Sequence, residues 1–162
     1  SLRVVPIKRV KNSQAFRAAA IPSVNGMYTA HSLARLFAPL AANGVLEGKR
    51  LLSEATLEEA KRDQSSGVCL VVPFPLRFKL GYMRPVSLGL PLEVLGKRRD
   101  LGVASPLAFG HFGFGGSGAW ADPQRQLSVG IVANSFFGKL PIDLRTVALC
   151  TAAAFAADHR AG

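Results

Sequence analysis

The stretch from Leu107 to Asn134, LAFGHFGFGGSGAWADPQRQLSVGIVAN, constrains the fold more than any other. Leu107 and Phe109 read as a short apolar strand leading into His111-Phe112-Gly113. Glycines follow at 113, 115, 116 and 118, after which Ala119, Trp120 and Ala121 resume extended chain. Asp122-Pro123-Gln124-Arg125-Gln126 reads as a turn: Asp accepts local backbone hydrogen bonds and Pro fixes φ at about −65°. Leu127 to Ala133 returns as an apolar strand. This pattern predicts antiparallel chain, with 107–112 and 127–134 as neighbouring strands covered by a final helix.

A chain of 162 residues is expected to form one domain with a real core. Hydrophobic residues make up 49% and charged residues 19%, which excludes a disordered composition. Sixteen Gly and ten Pro argue for turns between strands rather than an all-helical chain. Cys69 and Cys150 stand far apart in apolar surroundings, so two buried thiols are expected and a disulfide framework is not. No run of about 18 uninterrupted apolar residues occurs, so no spanning helix is expected. Residues 1–17 lack the apolar core of a secretory signal, which, with the cysteine usage, leans towards an intracellular setting.

The net charge of +10 raises a separate possibility, a basic module for nucleic acid or an anionic membrane. Five cations (Arg3, Lys8, Arg9, Lys11, Arg17) lie in the first seventeen positions, and Lys97-Arg98-Arg99 forms a second cluster. These are local clusters without interleaved aromatics or a recognition motif. A solvated basic surface is the reading they favour, and no nucleic-acid partner is expected.

Read in order, 1–20 is a basic lead-in or weak edge strand, 21–66 a helical segment, 67–140 antiparallel strands and 141–160 a C-terminal helix. Residues 29–43 carry the clearest helix, with Leu33, Leu36, Phe37 and Leu40 on one stripe. Thr29 is its expected cap, Asn43-Gly44 its stop, and Pro39 an interior cost. His31, in its first turn, is expected in solvent. Ser53 is expected to cap a surface helix over 54–64, with Glu54 near its positive end. Residues 68–72 and 77–83 read as strands, the second with Phe78, Leu80 and Tyr82 on one face. Residues 85–106 and 136–140 read as connections. Pro141 is placed at the first position of the last helix, with Leu144, Val147, Ala148, Thr151 and Phe155 as its apolar face and Cys150 and Ala154 beside it.

The order of these segments resembles the serine β-lactamase, penicillin-binding protein and esterase superfamily, in its class C-like branch. There an edge strand carries a Lys-Thr-Gly or His-Thr-Gly triplet, followed by a small-residue turn, a strand ending in Asp-Pro and a further strand. His111-Phe112-Gly113, Gly115-Gly116-Ser117, Ala121-Asp122-Pro123 and Val129 to Asn134 fall in that order. Pro22 to Leu36 and Leu51 to Leu57 resemble the helix entries upstream, and Leu80-Gly81-Tyr82 loosely echoes the strand before the active-site edge. The resemblance covers most of residues 20–158 and implies an α+β fold: an antiparallel sheet with flanking helices, the C-terminal part of a β-lactamase/transpeptidase-like domain. The chain is accordingly expected to be a single partial domain.

The resemblance implies acyl transfer on an ester or amide carbonyl. His111, at the triplet position, would place a hydrogen-bond donor or positive charge at the site, since imidazole changes charge near neutral pH. Phe112, Gly113, Gly115 and Gly116 would line the substrate. The chemistry also needs Ser-x-x-Lys and Tyr-x-Asn or Ser-x-Asn. None of the serines has Lys three positions later. Ser32 has Arg35, whose guanidinium stays protonated and is no base. Ser23-Val24-Asn25 fits the second motif in letters but belongs to another segment. The expected parent is a serine hydrolase whose nucleophile lies on a missing N-terminal half, leaving this part inactive alone. A non-catalytic interaction or regulatory domain is the alternative.

Other chemistry is weaker. Gly113, Gly115 and Gly116 are not a phosphate cradle, because no Gly-Lys-Ser/Thr follows. Ser117 is one residue short of Gly-x-Ser-x-Gly, and extended chain rather than helix follows it. Trp120 is expected in the core or in a cleft wall rather than as a ligand platform. His31, His111 and His159 are scattered and far from both cysteines, so no metal or other cofactor is implied. Expected partners are the missing half, a small ester or amide, and a second copy through exposed sheet.

Overall fold

The computed structural model describes residues 12–70, 75–84, 105–113, 115–134 and 143–160. Its helices are α1 (Gln14–Ala18), α2 (Ala30–Ala41), α3 (Glu54–Lys61) and α4 (Leu144–Asp158). Its strands are β1 (Val45–Leu46), β2 (Lys49–Arg50), β3 (Ser65–Val68), β4 (Pro75–Phe78), β5 (Phe109–Phe112), β6 (Gly118–Asp122) and β7 (Leu127–Ile131).

The central sheet is an antiparallel meander, β5-β6-β7. Met83 links it to the β3–β4 hairpin by bridging Phe78 on one side and Gly110 on the other. Alternation along the strands sends successive side chains to opposite faces. Trp120 and Val129, paired across β6 and β7, face α4, where Ala108, Trp120, Cys150 and Ala154 form a buried cluster. Phe109 and Ala121 face the other way, into a cluster with Leu40 and Ala41 of α2 and Leu57 of α3. Tyr82 extends that cluster, meeting Phe37 and Phe109 edge-on at 6.0 and 5.2 Å between ring centroids. The protein is therefore α+β, an antiparallel sheet between helices, as the family resemblance implies.

Helix α2 forms for the reasons its sequence gives. The Thr29 hydroxyl accepts from the Ser32 N–H at 3.0 Å, and the Ser32 hydroxyl accepts in return from the Thr29 N–H at 3.0 Å. Asn43 and Gly44, at φ +50° and +80°, end it in the left-handed region. The helix lies very close to β7. A Cβ on Gly130 would stand 2.3 Å from the Ala30 carbonyl oxygen and 2.7 Å from the Ala34 nitrogen. Only glycine lets the two backbones approach so far.

The structure corrects several expectations. Residues 107–112 and 127–134 are not adjacent: β6 lies between β5 and β7, because each short loop returns the chain beside the strand it has just left. Residues 14–18 are a helix capped by Ser13 rather than part of an edge strand. The strand expected at 68–72 begins at Ser65, since pairing with β4 sets its register; positions 71–72 lie outside the described residues. The alternation over 77–83 spans a tight turn, with the Lys79 N–H bonded to the Tyr82 carbonyl at 2.8 Å and Gly81 at φ +74°. Phe78 and Leu80 are exposed while Tyr82 packs inward. Leu36 leaves the α2 stripe for solvent. Helix α3 ends at Lys61. Leu144, Ala148 and Phe155 of α4 are exposed, and its buried face is Thr146, Cys150 and Ala154, small side chains that let the helix sit down on Trp120. Asp143 caps α4, accepting from the Arg145 N–H at 2.9 Å. Pro141 and the expected connections at 85–104 and 136–140 lie outside the described residues.

Candidate active-site wall

His111 is exposed near the end of β5, opposite Ala119 and on the same sheet face as Phe109, the face that α2 covers. Phe112 takes the other face, where its ring packs on the cluster around Trp120. The two candidate side chains are thus on opposite sides of one strand. Gly110 exchanges both backbone hydrogen bonds with Met83, at 2.8 and 2.9 Å. By alternation the N–H and C=O of Phe112 point to that same side, away from β6.

The loop after Phe112 is held from several directions. The Gly113 N–H donates to the Ser117 carbonyl at 2.7 Å, and the Gly116 N–H donates to the Gly113 carbonyl at 3.0 Å. Gly116 adopts φ +80°, and a Cβ there would meet Asp143 Oδ2 at 2.6 Å and Thr146 Oγ1 at 2.8 Å. The buried Thr146 hydroxyl of α4 donates to the Gly116 carbonyl at 3.0 Å. Ser117 Oγ accepts from the Ala133 N–H at 2.9 Å and lies 3.4 Å from the Ala133 carbonyl oxygen. Its hydroxyl therefore joins the loop to the chain leaving β7. Strand β6 follows at Gly118, so the strand-to-helix turn of a nucleophile elbow is absent here. Gly113 is exposed and Gly115 half-buried.

The opposite end of the sheet carries a polar network that the sequence reading missed. Asp122 is fully buried and accepts four hydrogen bonds. They come from the Ser105 N–H (3.0 Å), the Ser105 hydroxyl (2.6 Å), the Gln124 N–H (3.1 Å) and Arg125 Nη1 (2.8 Å). Burial by itself pushes the Asp122 carboxyl up, but the two bonds from Ser105 and then Arg125 more than reverse this and hold it low. Arg125 also clamps Asp158 at the end of α4, at 2.7 and 3.0 Å. That contact holds the Asp158 carboxyl below its ordinary range. Asp-Pro marked the turn in the sequence, but no spacing signalled partners at Ser105 and Asp158.

The remaining candidates are dispersed. His31 and His159 are exposed; Cys150 is buried as expected and its thiol is pushed up to about 12 by burial, whereas Cys69, expected to be buried, is only half-buried, and no disulfide joins the two. Among the described residues no group of three or more His, Cys, Asp or Glu is placed to hold a metal ion. No helix among them is long and apolar enough to cross a membrane. An apolar groove of about 550 Å³ opens beside α2, between Phe37, Leu40, Leu51, Leu52 and Tyr82; His111 is not in its lining.

This arrangement has known counterparts. The profile of the Beta-lactamase family matches residues 3–153, and the chain belongs to that family. It is 33% identical over 127 residues to the esterase/beta-lactamase LipL of Mycobacterium tuberculosis (strain ATCC 25618 / H37Rv), covering 75% of this chain and 25% of LipL. Among solved structures, a novel penicillin-binding protein homolog from Caulobacter crescentus superposes with a TM-score of 0.65 at 34% identity, over 90% of this chain and 36% of that one. A family VIII carboxylesterase superposes with a TM-score of 0.71 at 28% identity, over 92% and 36%. EstA from Arthrobacter nitroguajacolicus Rue61a, at 24% identity and a TM-score of 0.75, supports the fold alone. The chain thus spans a quarter of the length of LipL and little more than a third of the first two solved relatives. Its family is that of β-lactamase-related esterases and hydrolases.

Proposed function

We propose that these residues form one wall of a serine-hydrolase acyl-transfer site whose attacking serine lies on polypeptide outside the 162. One observation carries this reading: His111 stands exposed on β5 at the sheet end where Thr146 and Ser117 fix the adjoining loop. The bond acted on is an ester or amide carbonyl. Attack by serine gives an acyl-enzyme, which water then hydrolyses. His111 would donate a hydrogen bond near the substrate or the attacking group. Gly113, Gly115 and Gly116 would let the substrate lie close to the backbone. Phe112 would contribute its outward main-chain groups, while its ring supports the strand from below.

The sequence supports inactivity of the part alone, because no serine in it has Lys three residues on. The isolated chain is expected not to turn over a chromogenic ester or a chromogenic cephalosporin. Turnover abolished by Ser117→Ala would overturn this. In the full product of the reading frame, hydrolysis that falls with His111→Ala supports the assignment.

A non-catalytic interaction or regulatory domain is the second reading. It is favoured by Phe112, which puts a bulky ring where the resembled triplet has a small hydroxylated residue. An in-frame Ser-x-x-Lys and Tyr-x-Asn upstream would count against it.

A further inference from the structure

The loop that leads into α2 stands apart from the rest of this basic chain. Residues 18–30 contain no charged side chain, although the protein carries 20 Lys and Arg and a net charge of +10. Three large apolar side chains in that stretch face solvent: Val24, Met27 and Tyr28 are 51%, 69% and 55% exposed. Scattered single exposures are ordinary, but several together mark a contact surface. Their support is firm. Asn25 Nδ2 donates to the Phe16 carbonyl at 2.9 Å and to the Ala19 carbonyl, pinning the loop to α1. The Val24 and Asn25 N–H groups both donate to the Ile21 carbonyl, at 3.0 and 3.1 Å. The Tyr28 ring folds back over Gly26, where a Cβ would stand 2.5 Å from Cε2.

The sheet fixes where this surface lies. His111, Ala119 and Gly130 are direct cross-strand partners on β5, β6 and β7, so they form one row on one face. The first turns of α2 rest on the Gly130 end of that row, through Ala30, Leu33 and Ala34. His111 stands at the other end, two strand spacings or about 10 Å away. The last turn of α2 packs with Phe109 and Ala121, the next row on the same face. The helix therefore runs away from the His111 row, and residues 21–28 enter it at the sheet end that holds His111 and the loop after Phe112.

We propose, on the acyl-transfer reading above, that Val24, Met27 and Tyr28 are the surface on which the apolar chain of an ester substrate lies, so that the site favours esters with a long uncharged chain over short or charged ones. An aliphatic, a thioether and an aromatic side chain gain by covering methylenes and offer a charged group no partner. A carbonyl held beside His111 has about 10 Å to bridge before its substituent reaches the loop. An acetyl group is too short to make that contact, and a chain of octanoyl length makes it.

Steady-state kinetics on the full product of the reading frame test this, with p-nitrophenyl acetate, p-nitrophenyl octanoate and octyl acetate as substrates. In the double variant Met27→Ser, Tyr28→Ser, the kcat/KM of a long-chain ester relative to p-nitrophenyl acetate is expected to fall about tenfold or more, mainly through KM. A fall confined to p-nitrophenyl octanoate puts the chain on the acid side of the ester, and one confined to octyl acetate puts it on the alcohol side. Met27→Leu and Tyr28→Phe, which keep the apolar surface, should keep the long-chain preference. Both long-to-short ratios unchanged in the double variant would overturn the proposal. A lower Tm with unchanged ratios would do so too, by making the loop a packing surface for other polypeptide. Ester hydrolysis undiminished by His111→Ala would sink the role given to His111 instead, and the chain-length ratios would still judge the loop. No hydrolysis of any of the three esters would sink both.

Discussion

The two ends of the β5–β6–β7 sheet are built on different terms. At the β6–β7 turn, Asp122 is wholly buried and accepts four hydrogen bonds, and Arg125 carries the connection on to α4. At the β5–β6 loop, His111 is exposed, and order comes from two hydroxyls, Thr146 and Ser117, gripping backbone. One end spends its polar chemistry inward, on holding sheet and helix together. The other keeps a titratable side chain in reach of solvent and fixes only the main chain around it. Buried polar bonding and solvent-exposed polar groups thereby fall at opposite ends of the same three strands.

Substitutions that separate the ends should rank accordingly. Trp120→Ala, which removes the largest side chain between sheet and α4, should cost about 3–5 kcal/mol in urea unfolding. Asp122→Ala leaves Arg125 and the Ser105 N–H without their buried acceptor and should cost about 3 kcal/mol or more. If Asp122→Ala costs no more than a surface change, the contrast between the ends fails.

The same end should confer acid sensitivity. Asp122 and Asp158 both have carboxyls held low in the folded chain. A depressed pKa contributes stability that is fully present above the unfolded carboxylate value, about 4, and is lost as pH falls through the folded value. Thermal unfolding should therefore be level from neutral pH down to about 4 and weaken below it, and Asp122→Asn should flatten that decline.

Smaller effects sharpen the picture. Gly130→Ala forces a methyl against the Ala30 carbonyl and should cost about 1–3 kcal/mol, visible as a lower Tm. Thr146→Val removes the donor to Gly116 and should cost about 1 kcal/mol, with faster exchange in the 115–118 loop as its signature. His111→Ala should change stability by less than about 0.5 kcal/mol, because the side chain is exposed. A large loss at His111 would mean that it is structural.

Much of this architecture was legible in the sequence, for reasons that differ by element. Helix α2 carried its own boundary chemistry in Thr29 and Asn43-Gly44, and Asp122-Pro123 announced the β6–β7 turn. The 77–83 segment misled because an alternating pattern looks the same when a Gly turn folds it back on itself. The buried face of α4 was misassigned because the helix is alanine-rich, so periodicity offered several faces and only contact with Trp120 selects one. The order of its neighbours singled out His111-Phe112-Gly113, and the structure sets His111 and Phe112 on β5. The buried network at Asp122 was not, since Ser105 and Asp158 meet it from 17 and 36 positions away only after the chain has folded.

Gly116 has a wider consequence. Its carbonyl is held by a helix, its neighbour Ser117 by the chain after β7, and neither contact involves the imidazole four or more residues away. Side chains around this corner can therefore be exchanged without unseating the frame, provided position 116 keeps its bare α-carbon.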